Sequence, residues 1–205
     1  MKLYFIRHAP TPANFVGAMI KNYHETSIIN EEPIGWKEKI GCYLPELNID
    51  TPIITSPALR CQQTAKLLFD RVPDIILKEL DEFDCSGLGD KKFWEITEEE
   101  FCDCVKLNSN DMEKQIDLLF DTCYSLNTMF HNINHIICIS HGMVIRYIYH
   151  YLTGRKNATP FDIINSKNFK FANLDMLVYD TDTKAINTYE ITSIIVVTDE
   201  SKIAI

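Results

Sequence analysis

The chain has no run of about 18 apolar residues, the length a helix needs to cross a bilayer, so no membrane-spanning helix is expected. Basic residues are in the minority, 20 Lys and Arg against 29 Asp and Glu, for a net charge of -9. That balance argues against a nucleic-acid backbone or an anionic membrane surface as the main partner, while leaving room for a local basic site. Low-complexity tracts, internal repeats and long linkers are missing, and nothing in the composition divides the 205 residues. One domain over residues 1–205 is expected.

A disulfide framework is missing too. Cys42, Cys61, Cys85, Cys102, Cys104, Cys123 and Cys138 are odd in number and scattered, mostly inside periodic segments where a reduced thiol packs as a small hydrophobe. The nearest approach to a metal motif, Cys102-x-Cys104, lacks both the usual spacing and a second ligand pair, so no metal is expected. Met1-Lys2 leads into a strand in place of a cleavable signal, and the expected location is cytoplasmic. What is present is ordinary for a globular protein: 46% hydrophobic and 24% charged residues.

Short apolar runs at Leu3 to Ile6, Ile53 to Thr55, Ile75 to Leu77, Ile136 to Ser140, Met176 to Tyr179 and Ile186 to Tyr189 read as strands. Helical patterns fill the intervals at Trp36 to Leu44, Pro57 to Phe69, Glu98 to Leu107, Met112 to Phe130 and Gly142 to Leu152. Ser56 before Pro57, Thr97 with Glu100, and Asn110 with Glu113 read as helix starts. Strands alternating with helices predict an α/β fold, a three-layer α/β/α domain around a mostly parallel sheet of about six strands. The last two strands, joined by Asp180-Thr181-Asp182-Thr183, predict a hairpin at one edge.

Four segments carry chemistry. The first strand runs into Arg7-His8, and in an open α/β sheet ligands bind beyond the carboxyl ends of the strands. The strand ending at Thr55 feeds a helix with Arg60 in its first turn, where free backbone N–H groups and the helix dipole favour an anion. Ile136 to Ser140 delivers His141 and Gly142 to an equivalent strand end. Between them, the loop Leu80 to Asp90 carries Asp81, Glu82, Asp84 and Asp90, any of which could supply a proton.

Together these segments resemble the histidine phosphatase superfamily, in its phosphoglycerate mutase-like branch. Arg7-His8-Ala9-Pro10-Thr11 is similar to the family's Arg-His-Gly-Glu-Thr/Ser signature, with Asn14 at the position where that branch has asparagine. Ser56-Pro57-x-Leu59-Arg60-x-x-x-Thr64-Ala65 resembles the second motif, Leu80-x-Glu82 the motif of the proton donor, and Ser140-His141-Gly142 the closing one. The departures are Ala9-Pro10 for Gly-Glu, which must alter the turn, Cys85-Ser86 after the acid, and a reduced segment Glu32-Pro33-Ile34-Gly35-Trp36 ahead of the second helix.

The resemblance implies a catalytic set of Arg7, His8, Arg60, Glu82 and His141, with Arg7, Asn14, Arg60, His141 and Gly142 binding the substrate. His8 would become a phosphohistidine, the arginines would grip the phosphoryl oxygens, a protonated His141 would add a third cation, and Glu82 would serve the leaving group and then water. Asp81 and Asp84 are rivals for the acid. The arginines supply the charge that magnesium supplies elsewhere, so no metal or cofactor is expected. The implied function is a phosphatase of a small phosphorylated metabolite. A phosphoglycerate mutase and a phospholigand-binding module with little turnover are the alternatives. Phe15 to His24 and Phe93 to Lys106, with Lys21, Tyr23 and Trp94, are candidate selectors at the mouth. Ile194 to Val197 suits either an edge strand or a contact between copies in a homo-oligomer.

Overall fold

The computed structural model describes residues 1–20, 24–29, 36–44, 50–89, 91–105, 109–129, 133–154, 161 and 171–191. In chain order these form β1 (Lys2–Arg7), α1 (Pro12–Phe15), α2 (Trp36–Tyr43), β2 (Ile53–Thr55), α3 (Leu59–Phe69), β3 (Ile75–Ile76), α4 (Glu98–Val105), α5 (Ser109–Met129), β4 (His135–Ser140), α6 (Gly142–Leu152), β5 (Met176–Asp180) and β6 (Ile186–Tyr189). Short 3-10 turns at Lys78–Leu80, Ser86–Leu88 and Phe93–Glu95 occupy the stretch between β3 and α4.

The six strands make one sheet in the order β3-β2-β4-β1-β5-β6, an α/β fold. β3, β2, β4 and β1 run parallel, and β5 and β6 form the antiparallel edge hairpin. Side chains alternate between two cores, as the pleat requires. Leu3 and Phe5 of β1, with Ile136 and Cys138 of β4, pack against α5 and α6 through Ile116, Leu119, Val144 and Ile145. Tyr4 and Ile6, with Ile137 and Ile139, pack on the other face against Ile40 of α2 and Cys61 and Ala65 of α3. Burial on both faces is why these strands read as unbroken apolar runs, and each such side chain contributes roughly 2 kcal/mol on leaving water.

Some starts differ from the sequence reading. α3 begins at Leu59, not Pro57, because the Ser56 hydroxyl, while accepting the Ala58 N–H at 3.1 Å, is drawn toward Asp81 and His141. α5 begins at Ser109, which puts Asn110 inside the helix and not at its cap. Thr97 and Glu100 do form the reciprocal pair, with N–H to side-chain distances of 3.1 and 3.3 Å. α1 and the 3-10 turns are too short to leave a periodic signal. Lys21, Tyr23, Asp90, residues 32–35 and residues 194–197 lie outside the described residues. Among the described residues no helix is long and apolar enough to cross a membrane.

Candidate active site

Two parallel strands end in register here. Arg7 of β1 pairs with Ser140 of β4, so the next residue on each, His8 and His141, leaves the sheet beside the other, with the rings 5.3 Å apart at 60°. The ladder continues one step further: His8 N–H donates to the Ser140 carbonyl at 2.9 Å and Ser56 N–H to Ile139 at 3.0 Å. Three loops therefore start from fixed points at one end of the sheet.

His8 is buried, and its Nδ1 lies 2.7 Å from the Ala9 carbonyl. A carbonyl can only accept, so Nδ1 carries the proton and Nε2 presents a lone pair. Burial, then the charges of Arg60 and Arg7, push the His8 pKa well below the ordinary imidazole range. The ring is neutral at pH 7, the form in which imidazole is a nucleophile. The Ala9-Pro10 turn is held from two sides: Ala9 N–H donates to Thr64 Oγ1 at 2.8 Å and Ile29 N–H to the Pro10 carbonyl at 2.9 Å.

Arg60 is only 1% exposed, and its Nη2 donates to Nδ1 of His141 at 3.0 Å. Thr64, one turn on, donates to the Arg60 carbonyl at 2.6 Å and so ties α3 to the turn after His8. The first amides of α3, expected to be open to an anion, are occupied instead. Leu59 N–H donates to the His24 carbonyl at 2.8 Å, and Ala58 N–H is taken by Ser56.

Arg7 donates through Nη1 to the Phe171 carbonyl, while its buried Nε has no hydrogen-bond partner. Burial, then the charge of Arg146, lowers its pKa to about 10, so it stays cationic at neutral pH. Gly142 lies directly beneath it: a Cβ there would sit 3.1 Å from Arg7 Nε and 3.3 Å from Cζ. Gly142, expected as a substrate-binding residue, thus packs against the Arg7 guanidinium. Asn14 caps the chain at Thr11, its Oδ1 accepting the Thr11 N–H at 2.9 Å and hydroxyl at 3.0 Å, and Asn173 Nδ2 at 3.3 Å.

The acid candidates separate by environment. Glu82 is half-buried, and burial raises its pKa to about 7, outweighing the Phe83 and Met143 amides and the charges of Arg7 and Arg146. Asp84 is exposed, and hydrogen bonds from Ser86 hold its carboxyl below the ordinary range. Asp81 accepts hydrogen bonds from Ser56, His24 and the Glu82 amide. Glu82 has the raised pKa that a proton donor needs. His141 is fully buried and driven well below the imidazole range by burial, then by Arg60, His8, Arg7 and His24. It is therefore neutral here, first through burial and then because the pocket already holds two guanidinium groups; the expected third cation concerns the ring beside a phosphate.

Several contributors escaped the sequence reading. Residues 171–175 cradle the Arg7-His8 step: Leu174 N–H donates to the Arg7 carbonyl at 3.0 Å, Arg7 N–H to Asp175 at 3.1 Å, and Asn173 Nδ2 to the His8 carbonyl at 2.8 Å. Asp175 braces that loop by accepting the Ala172 and Ile191 amides at 2.6 and 2.9 Å. Their one sequence signal is a polar Asn-Leu-Asp interrupting an apolar approach to β5. Arg146 stands one turn after Gly142 on α6, and its charge acts on both Arg7 and Glu82. A lone cation on the apolar α6 at that spacing was the available clue. Of the selectors, Trp94 is 69% exposed and lies over Gly17, whose φ is +64° and where a Cβ would come within 2.5 Å of the ring. Phe93 N–H donates to the Gly17 carbonyl at 3.0 Å, so this turn is fastened to the segment after α1.

A family model described as histidine phosphatase superfamily (branch 1) matches residues 3–192. No curated protein sequence matches the chain. Solved structures share the fold. Phosphoserine phosphatase from Entamoeba histolytica, a mutant form in complex with phosphoserine, superposes with a TM-score of 0.65 at 19% identity, over 92% of this chain and 95% of that one. The same enzyme with 3-phosphoglyceric acid gives 0.67 at 19% identity, again over 92% and 95%. Alpha-ribazole phosphatase from Shigella flexneri gives 0.62 at 20% identity over 92% and 95%.

Proposed function

The chain belongs to the histidine phosphatase superfamily (branch 1), a phosphoric monoester hydrolase by family, and from that premise we propose that it hydrolyses a small phosphorylated metabolite, without a metal, through a phosphohistidine on His8. The observation that carries the reading is a neutral His8, its Nδ1 proton held by the Ala9 carbonyl, with the charges of Arg60 and Arg7 acting on it and the His141 ring 5.3 Å away, while Glu82, whose pKa lies near 7, faces the same Arg7 charge. The pocket concentrates cations in a chain of net charge -9, which suits a small dianion and not a polyanion.

In the first step His8 Nε2 attacks phosphorus and the bond to the leaving oxygen breaks, while Glu82 gives that oxygen its proton. Arg7 and Arg60 hold the equatorial oxygens, where charge spreads in the transition state, and Asn14 adds a neutral donor. In the second step the Glu82 carboxylate takes a proton from water, whose oxygen attacks the phosphohistidine. Phosphate leaves, and His8 and Glu82 return to their starting states. Removing one preorganised donor from such a site costs ~3 kcal/mol or more. The related folds act on phosphoserine and α-ribazole phosphate by their names, which supports a small phosphomonoester as the substrate class.

The test is release of inorganic phosphate from a panel of phosphomonoesters, repeated with His8→Ala. Turnover on at least one member, lost in the variant, is expected. No release from any member, or an unaffected variant, contradicts the reading. A coupled assay with 3-phosphoglycerate and a trace of the bisphosphate should show no mutase turnover, and a phosphohistidine that forms but does not hydrolyse would instead favour a binding module.

A further inference from the structure

Asp81 adjoins the proposed acid and has no part in the steps above. Its Oδ1 accepts the Ser56 hydroxyl at 3.0 Å and the Glu82 amide at 3.2 Å, and its Oδ2 lies 2.9 Å from His24 Nε2. The Ser56 oxygen in turn lies 2.8 Å from His141 Nε2, while Arg60 donates to the opposite nitrogen at 3.0 Å. The proton positions follow from the partners. A carboxylate accepts and a guanidinium donates, so the Ser56 proton points to Asp81, the imidazole proton sits on Nε2, and Nδ1 is a lone pair facing Arg60. Ser56 and His141 are fully buried and the Asp81 side chain is 16% exposed, which keeps the chain of bonds largely out of water.

We propose that Asp81, acting through Ser56, is a positioning residue for His141: it fixes the ring proton on Nε2 and lets Nδ1 take up a second proton when a phosphate oxygen draws Arg60 away. This rests on the phosphatase reading of the same site. Nδ1, released from Arg60, accepts a proton from solvent and donates it as a hydrogen bond to the phosphate, and no covalent bond other than N–H forms. Opposing the new charge are Arg60 from α3, Arg7 and His8 from the end of β1, and His24 from residues 24–29, with the Cys61 thiol 3.5 Å away. Favouring it are the arriving phosphate and Asp81, whose Oδ1 lies 3.9 Å from Nε2. Before phosphate binds the opposing groups prevail and the ring is neutral. Afterwards the balance turns, and the site has its third cation only when there is an anion to hold.

Asp81→Asn tests this with little change of shape, since its amide oxygen can still accept from Ser56 and Glu82. The His141 ring nitrogens are followed by heteronuclear NMR while inorganic phosphate is added to the wild type, Asp81→Asn and Ser56→Ala. The wild type should show the Nε2–H form without phosphate and an imidazolium at saturation. Both variants should keep a neutral ring at pH 7 and bind phosphate about 10-fold more weakly, on the scale of one charge-assisted hydrogen bond. That loss should shrink as the pH falls, because protons then charge the ring without Asp81, and a merely structural defect would not show this. A normal imidazolium in either folded variant, or a loss equal at every pH, overturns the proposal, and Ser56→Ala decides if Asp81→Asn does not fold. Wild-type protein that hydrolyses no phosphomonoester would sink the phosphatase reading instead, while the NMR titration still judges the relay.

Discussion

Glu82 favours its proton over its charge, and that preference has two measurable consequences. Its pKa of about 7 in the folded protein stands above the ordinary 4.5, so the folded state binds the proton more tightly than the unfolded chain does. The sign follows by linkage: this contribution is intact below about pH 4.5 and is lost as the pH rises to 7. Glu82→Gln, which cannot ionise, should therefore be more stable than the wild type at pH 8, by on the order of 2 kcal/mol in denaturant unfolding. The same variant should lose about 10²- to 10⁴-fold in kcat/KM, which reports the first transfer to His8, on alkyl phosphates and much less on aryl phosphates, whose leaving groups need no proton. Equal losses on both substrate types would take the acid role away from Glu82. His8, Arg60 and His141 were legible as strand-end and helix-start residues, but the choice among Asp81, Glu82 and Asp84 was not. It depends on burial and on which amides and hydroxyls each carboxylate meets, and a loop sequence carries neither.

At the scale of elements, the strands were readable because both faces of β1, β2 and β4 are buried and leave unbroken apolar runs. The start of α3 was not, because Ser56 and Pro57 carry cap chemistry while the Ser56 hydroxyl is drawn to His141 and Asp81. Residues 171–175 left only the faint signal of a polar Asn-Leu-Asp, since much of their contribution is made by backbone groups set against Arg7 and His8, with the Asn173 and Asp175 side chains supporting them. The start of α6 gives the sharpest element-level prediction. Gly142→Ala should raise helix propensity by up to about 1 kcal/mol, yet its Cβ would press on the Arg7 guanidinium at 3.1 Å. The expected outcome is an unchanged or higher Tm together with a fall in kcat/KM of at least about 10-fold, from the lost Arg7 contact. A variant with full kcat/KM would show that Arg7 does not depend on that seat.

Across the whole molecule, an acidic chain encloses a cationic pocket, and the two halves of the proposed catalytic pair are tuned in opposite directions. Neutral His8 is required on the acid side and protonated Glu82 on the alkaline side, so kcat/KM should hold to well below pH 6.5 and fall above about pH 7. Stability should respond to the buried histidines with the opposite sign to Glu82. Both have folded pKa values below the unfolded 6.5, so their contribution is present above that pH and is lost as the pH falls through and below it. A pH–rate profile that rises steadily past pH 8 would contradict this assignment of acid and nucleophile. The central claim is that the phosphoryl group passes through His8. Reaction with a radiolabelled phosphomonoester accepted by the protein, quenched in alkali and digested, should place an acid-labile, alkali-stable label on the peptide carrying His8, and none in His8→Ala. A turning-over protein with no such label, or a label that survives in His8→Ala, would contradict it.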